Sequence, residues 1–278
     1  MKKIFLLFFL FCASVGFTQE SLLLMAGAAS APVVEELGKA FTQKTGIRVD
    51  LSIGGSGMLL SQIKLGQKGD LYLPASSDFI EKARKENLIL ENTITPLVYL
   101  VPAICVQKGN PRNIKSLKDL CQPGIRVAIA QPETVAIGVV AVEIIENCLN
   151  EEEKAALKKN IVAYTQNVEK TANALILNTV DAIIGWRVLE HWKPDRIETI
   201  KPPADEVIRI CYLAIAVTKF AKKPETAKAF IEFMKSAEGL KFFEKFNYFT
   251  SVEAARSYIG TETPVIENEY EVPGDWIK

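Results

Sequence analysis

Short apolar runs alternate with amphipathic stretches of helical period along most of this chain. That alternation restricts it to folds in which each strand feeds a helix and the next strand returns parallel to the first. Residues 21–27 (SLLLMAG) read as a buried strand. Residues 30–44 place Val33, Val34, Leu37 and Phe41 on one helical face, and Gly46 ends that helix. Residues 47–53 (IRVDLSI) alternate like a strand, a GGSG turn fills 54–57, and Met58, Leu59, Ile63 and Leu65 mark another helix. A strand at 70–74 and a polar helix at 77–87 complete a first βαβαβα set. A second set has strands at 125–130, 160–163 and 182–185, with helices at 135–149 and 168–177. The acidic run Glu151-Glu152-Glu153 opens a further helix, where it suits the dipole. The helix opening with Pro224 buries Ala227, Phe230, Ile231 and Met234.

Two longer apolar runs interrupt the pattern. Residues 96–106 carry Pro102 in their middle, where a central strand does not tolerate proline, so the run is expected to bend and cross between two lobes. Residues 208–217 (IRICYLAIAV) are the candidate return crossing. The expected architecture is α/β with two lobes. Lobe I is discontinuous, 20–101 and 213–278, and lobe II is 102–212.

The N-terminus sets the compartment. Lys2 and Lys3 precede an apolar stretch over 4–13 and then small and polar residues, which reads as a signal peptide over residues 1–19. Cys12 follows the bulky Phe11, a poor context for lipid attachment. No later stretch has the roughly 18 apolar residues of a membrane span. An extracytoplasmic, periplasmic-type location and a monomer are expected. Removing Lys2 and Lys3 from the 33 basic residues leaves 31 against 33 acidic ones, a net charge of −2 without a footprint for nucleic acid. An anion site in such a chain must therefore work through local dipoles. The mature chain keeps Cys105, Cys121, Cys148 and Cys211, whose spacing matches no zinc signature. A Cys121–Cys148 disulfide within lobe II is expected.

Ligands in open α/β sheets gather where strands end and helices begin. Four such corners stand out: Ala28 to Pro32 with Ser30 as N-cap, Gly54 to Gly57, Gln131 to Gly138 with Thr134 as cap, and Gln166 to Val168 with Asn167 as cap. Each offers neutral donors backed by a helix dipole. Singly, each corner reads first as an ordinary helix start; four together, two per lobe, point to an anion site.

The stretches LLLMAGAASAPVVEEL, SIGGSGMLLSQI, GDLYLPASSDFIEKA and QPETVAIGVVAVEII, with their spacing, resemble the periplasmic molybdate-binding proteins (ModA family) over residues 22–249. The resemblance implies a two-lobe class II periplasmic-binding-protein fold closing on molybdate or tungstate, and a permease of an ABC importer as partner. It implies donors at Ser30 and Ser56, which would hold the molybdenum or tungsten through its oxo groups. Backbone donors fall near Ile137 and at Val168, and Trp186 stands where the family has a tyrosine. The family's Val-Pro-Ala-Gly corner is Val135-Ala136-Ile137-Gly138 in this chain. No cofactor and no catalysis are implied. Sulfate, phosphate or an organic acid are the alternative ligands, and an enzyme on the same fold is the alternative class. With His191 alone, a nucleophilic triad has little to rest on. Asp70 and Glu133 are expected to face away from a dianion or to cap backbone donors.

Overall fold

The computed structural model describes residues 20–266 and 269–277; the expected signal peptide lies outside them. The strands are β1 Ser21–Gly27, β2 Arg48–Gly54, β3 Leu71–Leu73, β4 Thr95–Leu100, β5 Pro102–Gln107, β6 Val127–Ala130, β7 Ile161–Thr165, β8 Ala182–Trp186, β9 Ile197–Ile200 and β10 Cys211–Val217. The helices are α1 Ala31–Thr45, α2 Ser56–Gly66, α3 Ser77–Lys85, α4 Ala136–Cys148, α5 Glu151–Asn160, α6 Val168–Ile176, α7 Leu189–Trp192, α8 Pro224–Lys235, α9 Ala237–Lys245 and α10 Val252–Ile259.

Two five-stranded sheets result, ordered β2-β1-β3-β10-β4 and β7-β6-β8-β5-β9. Within each, three strands run parallel, and β10 or β5 joins that trio antiparallel. The α/β two-lobe expectation is met. Pro102 does what its chemistry requires: β4 ends at Leu100 in the first sheet, and β5 starts at the proline in the second. As the first residue of its strand, Pro102 forfeits no ladder bond.

The return differs from expectation. β9 is still in the second sheet and all of β10 is in the first, so the chain crosses back through residues 201–210, which belong to neither sheet and hold one 3-10 turn, Ala204–Glu206. The apolar run at 208–217 is one buried strand preceded by a loop. The four cysteines among the described residues are free, contrary to the expected Cys121–Cys148 bond. The Cys121 and Cys148 thiols instead approach the carbonyls of Leu117 and Asp205.

Candidate functional site

The parallel trios aim their carboxyl ends at the space between the lobes, and the corners meet there. Ala28 and Ala29, Gly54 to Ser56, and Ala75 line a small cavity from the first lobe; Val135 to Ile137, Val168 and Trp186 line it from the second. The cavity offers about 10 Å³ to the centre of a water-sized sphere, near the minimum that holds one water. None of its lining residues carries a charged side chain.

Four of the five expected residues, Ser56, Ile137, Val168 and Trp186, reach this cavity, and Ser30 does not. A 3-10 turn, Ala28–Ser30, intervenes between β1 and α1. It carries Ser30 past the cavity, and the buried hydroxyl donates back to the Gly27 carbonyl at 2.9 Å. Ser30 thus occupies the N-cap of α1 without making a side-chain cap bond.

Ser56 opens α2. Its Oγ accepts from the Ala75 N–H at 3.1 Å, which leaves the hydroxyl proton free to donate. Its carbonyl accepts from Tyr72 Oη at 2.8 Å. Burial holds the Tyr72 phenol well above its usual range, so it stays a neutral donor. The glycines beside Ser56 are there for close approach. A Cβ at Gly55 would stand 2.8 Å from the Gln166 carbonyl oxygen, and one at Gly57 would stand 2.9 Å from Thr134 Cα, both across the cleft. The Gly57 N–H donates to the Thr134 carbonyl at 2.8 Å, so the lobes are closed on each other.

In the second lobe Val135, and not Thr134, is the N-cap of α4, without a side-chain bond. The Thr134 carbonyl serves the bond across the cleft instead. A Cβ on Gly138 would come within 2.5 Å of the Ala130 carbonyl oxygen, so only glycine lets α4 start this close under β6. Asn167 caps α6 as expected, accepting from Lys170 N at 2.8 Å. The N–H groups of Ser56, Ala136, Ile137 and Val168 all belong to first turns and have no intrahelical acceptor. Trp186 is fully buried, and its Nε1–H has no hydrogen-bond partner. An unpaired buried donor is costly unless something accepts from it.

Asp70 caps backbone donors, accepting from Leu23 N at 2.8 Å and Lys222 N at 3.0 Å. His191 is exposed, with its ring edge-on to Phe246. Sequence reasoning missed a buried charge cluster. Arg209, in the return crossing, bonds both Asp78 oxygens at 3.2 and 2.9 Å, and its Nε lies 2.8 Å from Glu143 without hydrogen-bond alignment. Asp78 belongs to α3 and Glu143 to α4, so one guanidinium joins the two lobes. Burial pushes the Glu143 carboxyl up despite Arg209. The signal was an arginine inside an apolar run, a placement that demands carboxylate partners.

The lining can hold a small anion with neutral donors, and it contains no acid, base or nucleophile pair. The family model for bacterial extracellular solute-binding proteins matches residues 22–248. The chain belongs to that family. This solute-binding protein is 29% identical over 244 residues to a binding protein of Haemophilus influenzae, covering 87% of this chain and 96% of the relative. It is 24% identical over 230 residues to the molybdate-binding protein ModA of Mycobacterium bovis, covering 81% and 83%. The solved sulfate-binding protein SubI of Mycobacterium tuberculosis superposes with a TM-score of 0.76 at 18% identity, covering 90% of this chain and 94% of that one. Among the described residues no helix is long and apolar enough to cross a membrane.

Proposed function

We propose that this solute-binding protein captures molybdate or tungstate and delivers it to the permease of an ABC importer outside the cytoplasm. The observation that carries the reading is Trp186, a residue with a buried, unpartnered Nε1–H that lines an uncharged cavity where the first turns of α2, α4 and α6 converge. N–H and O–H donors aimed at an oxyanion make charge-assisted bonds, so neutral groups can hold a dianion. Helix starts favour negative charge. No acceptor carboxylate and no arginine line the cavity, which argues against protonated phosphate and organic acids. A tetrahedral dianion exceeds the present free space, so binding spreads the corners slightly. The relationship to a molybdate-binding protein supports the choice of anion.

Calorimetry of the mature protein against molybdate, tungstate, sulfate and phosphate tests the reading. Molybdate or tungstate is expected to bind at least about tenfold more tightly than sulfate, a gap near 1.4 kcal/mol. Equal affinity for sulfate removes the assignment of the anion, and no heat with any oxyanion removes the reading altogether.

A further inference from the structure

The residues beyond the family match connect the lobes a third time, after the two chain crossings at Pro102 and at residues 201–210. After α10 the chain is held to the first lobe. Ile210 N donates to the Pro264 carbonyl at 2.8 Å, and Ser77 Oγ, on α3, donates to the Ile266 carbonyl at 2.9 Å. Glu269 pairs with Lys85 of α3 at 2.9 Å, and Tyr270 N donates to Asp78 at 3.0 Å. Six positions after Tyr270 the chain is on the second lobe. There Trp276 is buried, and its Nε1 donates to Glu146 of α4 at 2.7 Å. Lys158 of α5 pairs with Asp275 and lies 4.3 Å over the Trp276 ring. Between the anchors, Glu269 to Val272 and Ile277 wall a cavity of about 270 Å³ against Phe79 of α3 and Glu133 of the third corner. The segment therefore runs along one flank of the cleft, beside the Gly57–Thr134 seam.

Six residues reach about 20 Å when fully extended, so the linking stretch has little slack. Separation of the lobes on this flank must either stretch it taut or pull Trp276 out. We propose that residues 269–277 are a strap that tethers lobe II to lobe I and keeps the ligand-free protein close to its closed arrangement. Such a tether raises apparent affinity for whatever solute is bound, because the lobes need travel only a short way to the arrangement that encloses it. This inference does not depend on which anion is captured.

Two variants of the mature chain separate a tether from a packing residue. Inserting six Gly/Ser residues between Val272 and Pro273 lengthens the strap while leaving Trp276 its seat, and loop lengthening itself costs little. Trp276→Ala removes the anchor. In ligand-free protein, amide exchange of Gly57, whose N–H donates across the cleft, is expected to rise about tenfold or more in both. The radius of gyration from X-ray scattering should grow, while the Leu24 and Ala128 amides inside the two sheets keep parental exchange. Unchanged Gly57 exchange and radius in both variants overturn the proposal. Opening in Trp276→Ala alone also overturns it, since Trp276 would then act by packing and not as the end of a tether.

Discussion

Ser30 and Ser56 stand at neighbouring corners of the first lobe, yet the structure gives their hydroxyls different work. Ser56 Oγ keeps a free proton beside the cavity, whereas Ser30 spends its proton on the Gly27 carbonyl. Ser56→Ala is therefore expected to weaken anion binding by about 1.5–3 kcal/mol, the range for a hydrogen bond to a charged group. Ser30→Ala should leave affinity within about twofold and cost only the roughly 0.5–1.5 kcal/mol of a neutral buried bond, read from a thermal or urea melt. Equal loss of affinity in the two variants would contradict this division of roles. Trp186→Phe keeps the aromatic wall and removes the orphan donor. It is expected to cost binding about 1.5–3 kcal/mol and to abolish most of the ligand-induced fluorescence change; normal binding would reduce Trp186 to a packing residue. The sequence revealed the corners through their glycines and cap residues. It did not reveal which atoms face the cavity, because one 3-10 turn decides the direction of Ser30.

Among the elements, those with clean periodicity were legible. β1, α1, α4 and α6 lie within a residue or two of their expected limits, and α8 opens at Pro224 as expected, because burial of one face dictates period 3.6 or a continuous apolar run. The return crossing was not legible, since Ile208 and Ile210 prolong the apolar run of the strand they precede. Arg209 was the exception in that run, and its pairing with α3 and α4 generates a test. Arg209→Met leaves Asp78 and Glu143 buried without their cation, an expected loss of about 3–5 kcal/mol at pH 7. Burial already raises the Glu143 carboxyl, so its neutral form favours the fold, and that contribution is lost as pH rises through the folded value. The deficit of the variant should therefore shrink between pH 7 and pH 5 in urea melts; an equal deficit at both values would show that the carboxylates are not what destabilises it. Gly57 gives a test of closure itself. Alanine is acceptable in the first turn of α2, but its Cβ would meet Thr134 Cα and the Phe79 ring at 2.9 Å. Gly57→Ala is expected to weaken binding by about tenfold or more, or 1.4 kcal/mol, and to lower the melting temperature of the ligand-free protein as well, since its lobes already meet at this seam. Wild-type affinity would mean that the bound lobes do not meet at this seam.

On the scale of the whole molecule, the lobes meet along several seams of different chemistry. The cleft seam is the backbone bond from Gly57 to Thr134. Another joins Arg187, just past β8, to Asn247 through Nη1 at 2.9 Å and stacks its guanidinium 4.0 Å over Phe249. The third is the C-terminal segment, whose function composition could not signal: one tryptophan and a few charges make a tether only when the fold has placed their partners. Its hold on the second lobe depends on carboxylates. Burial pushes the Glu146 carboxyl up, but bonds from Lys154 and Trp276 outweigh burial and leave it below the usual range. The Lys158 ammonium holds Asp275 down likewise. A carboxyl depressed in the folded state contributes stability above its unfolded value, near 4, and that contribution is lost as pH falls through the folded value. Acidification below about pH 4 is thus expected to release Trp276 before the sheets unfold. Trp186→Phe combined with Trp192→Phe leaves Trp276 as the sole indole of the three in the sequence. Its emission should shift to the red on acidification while far-ultraviolet circular dichroism still reports native strands and helices. A red shift that appears only together with the loss of secondary structure would show that these carboxylates do not control the end of the segment.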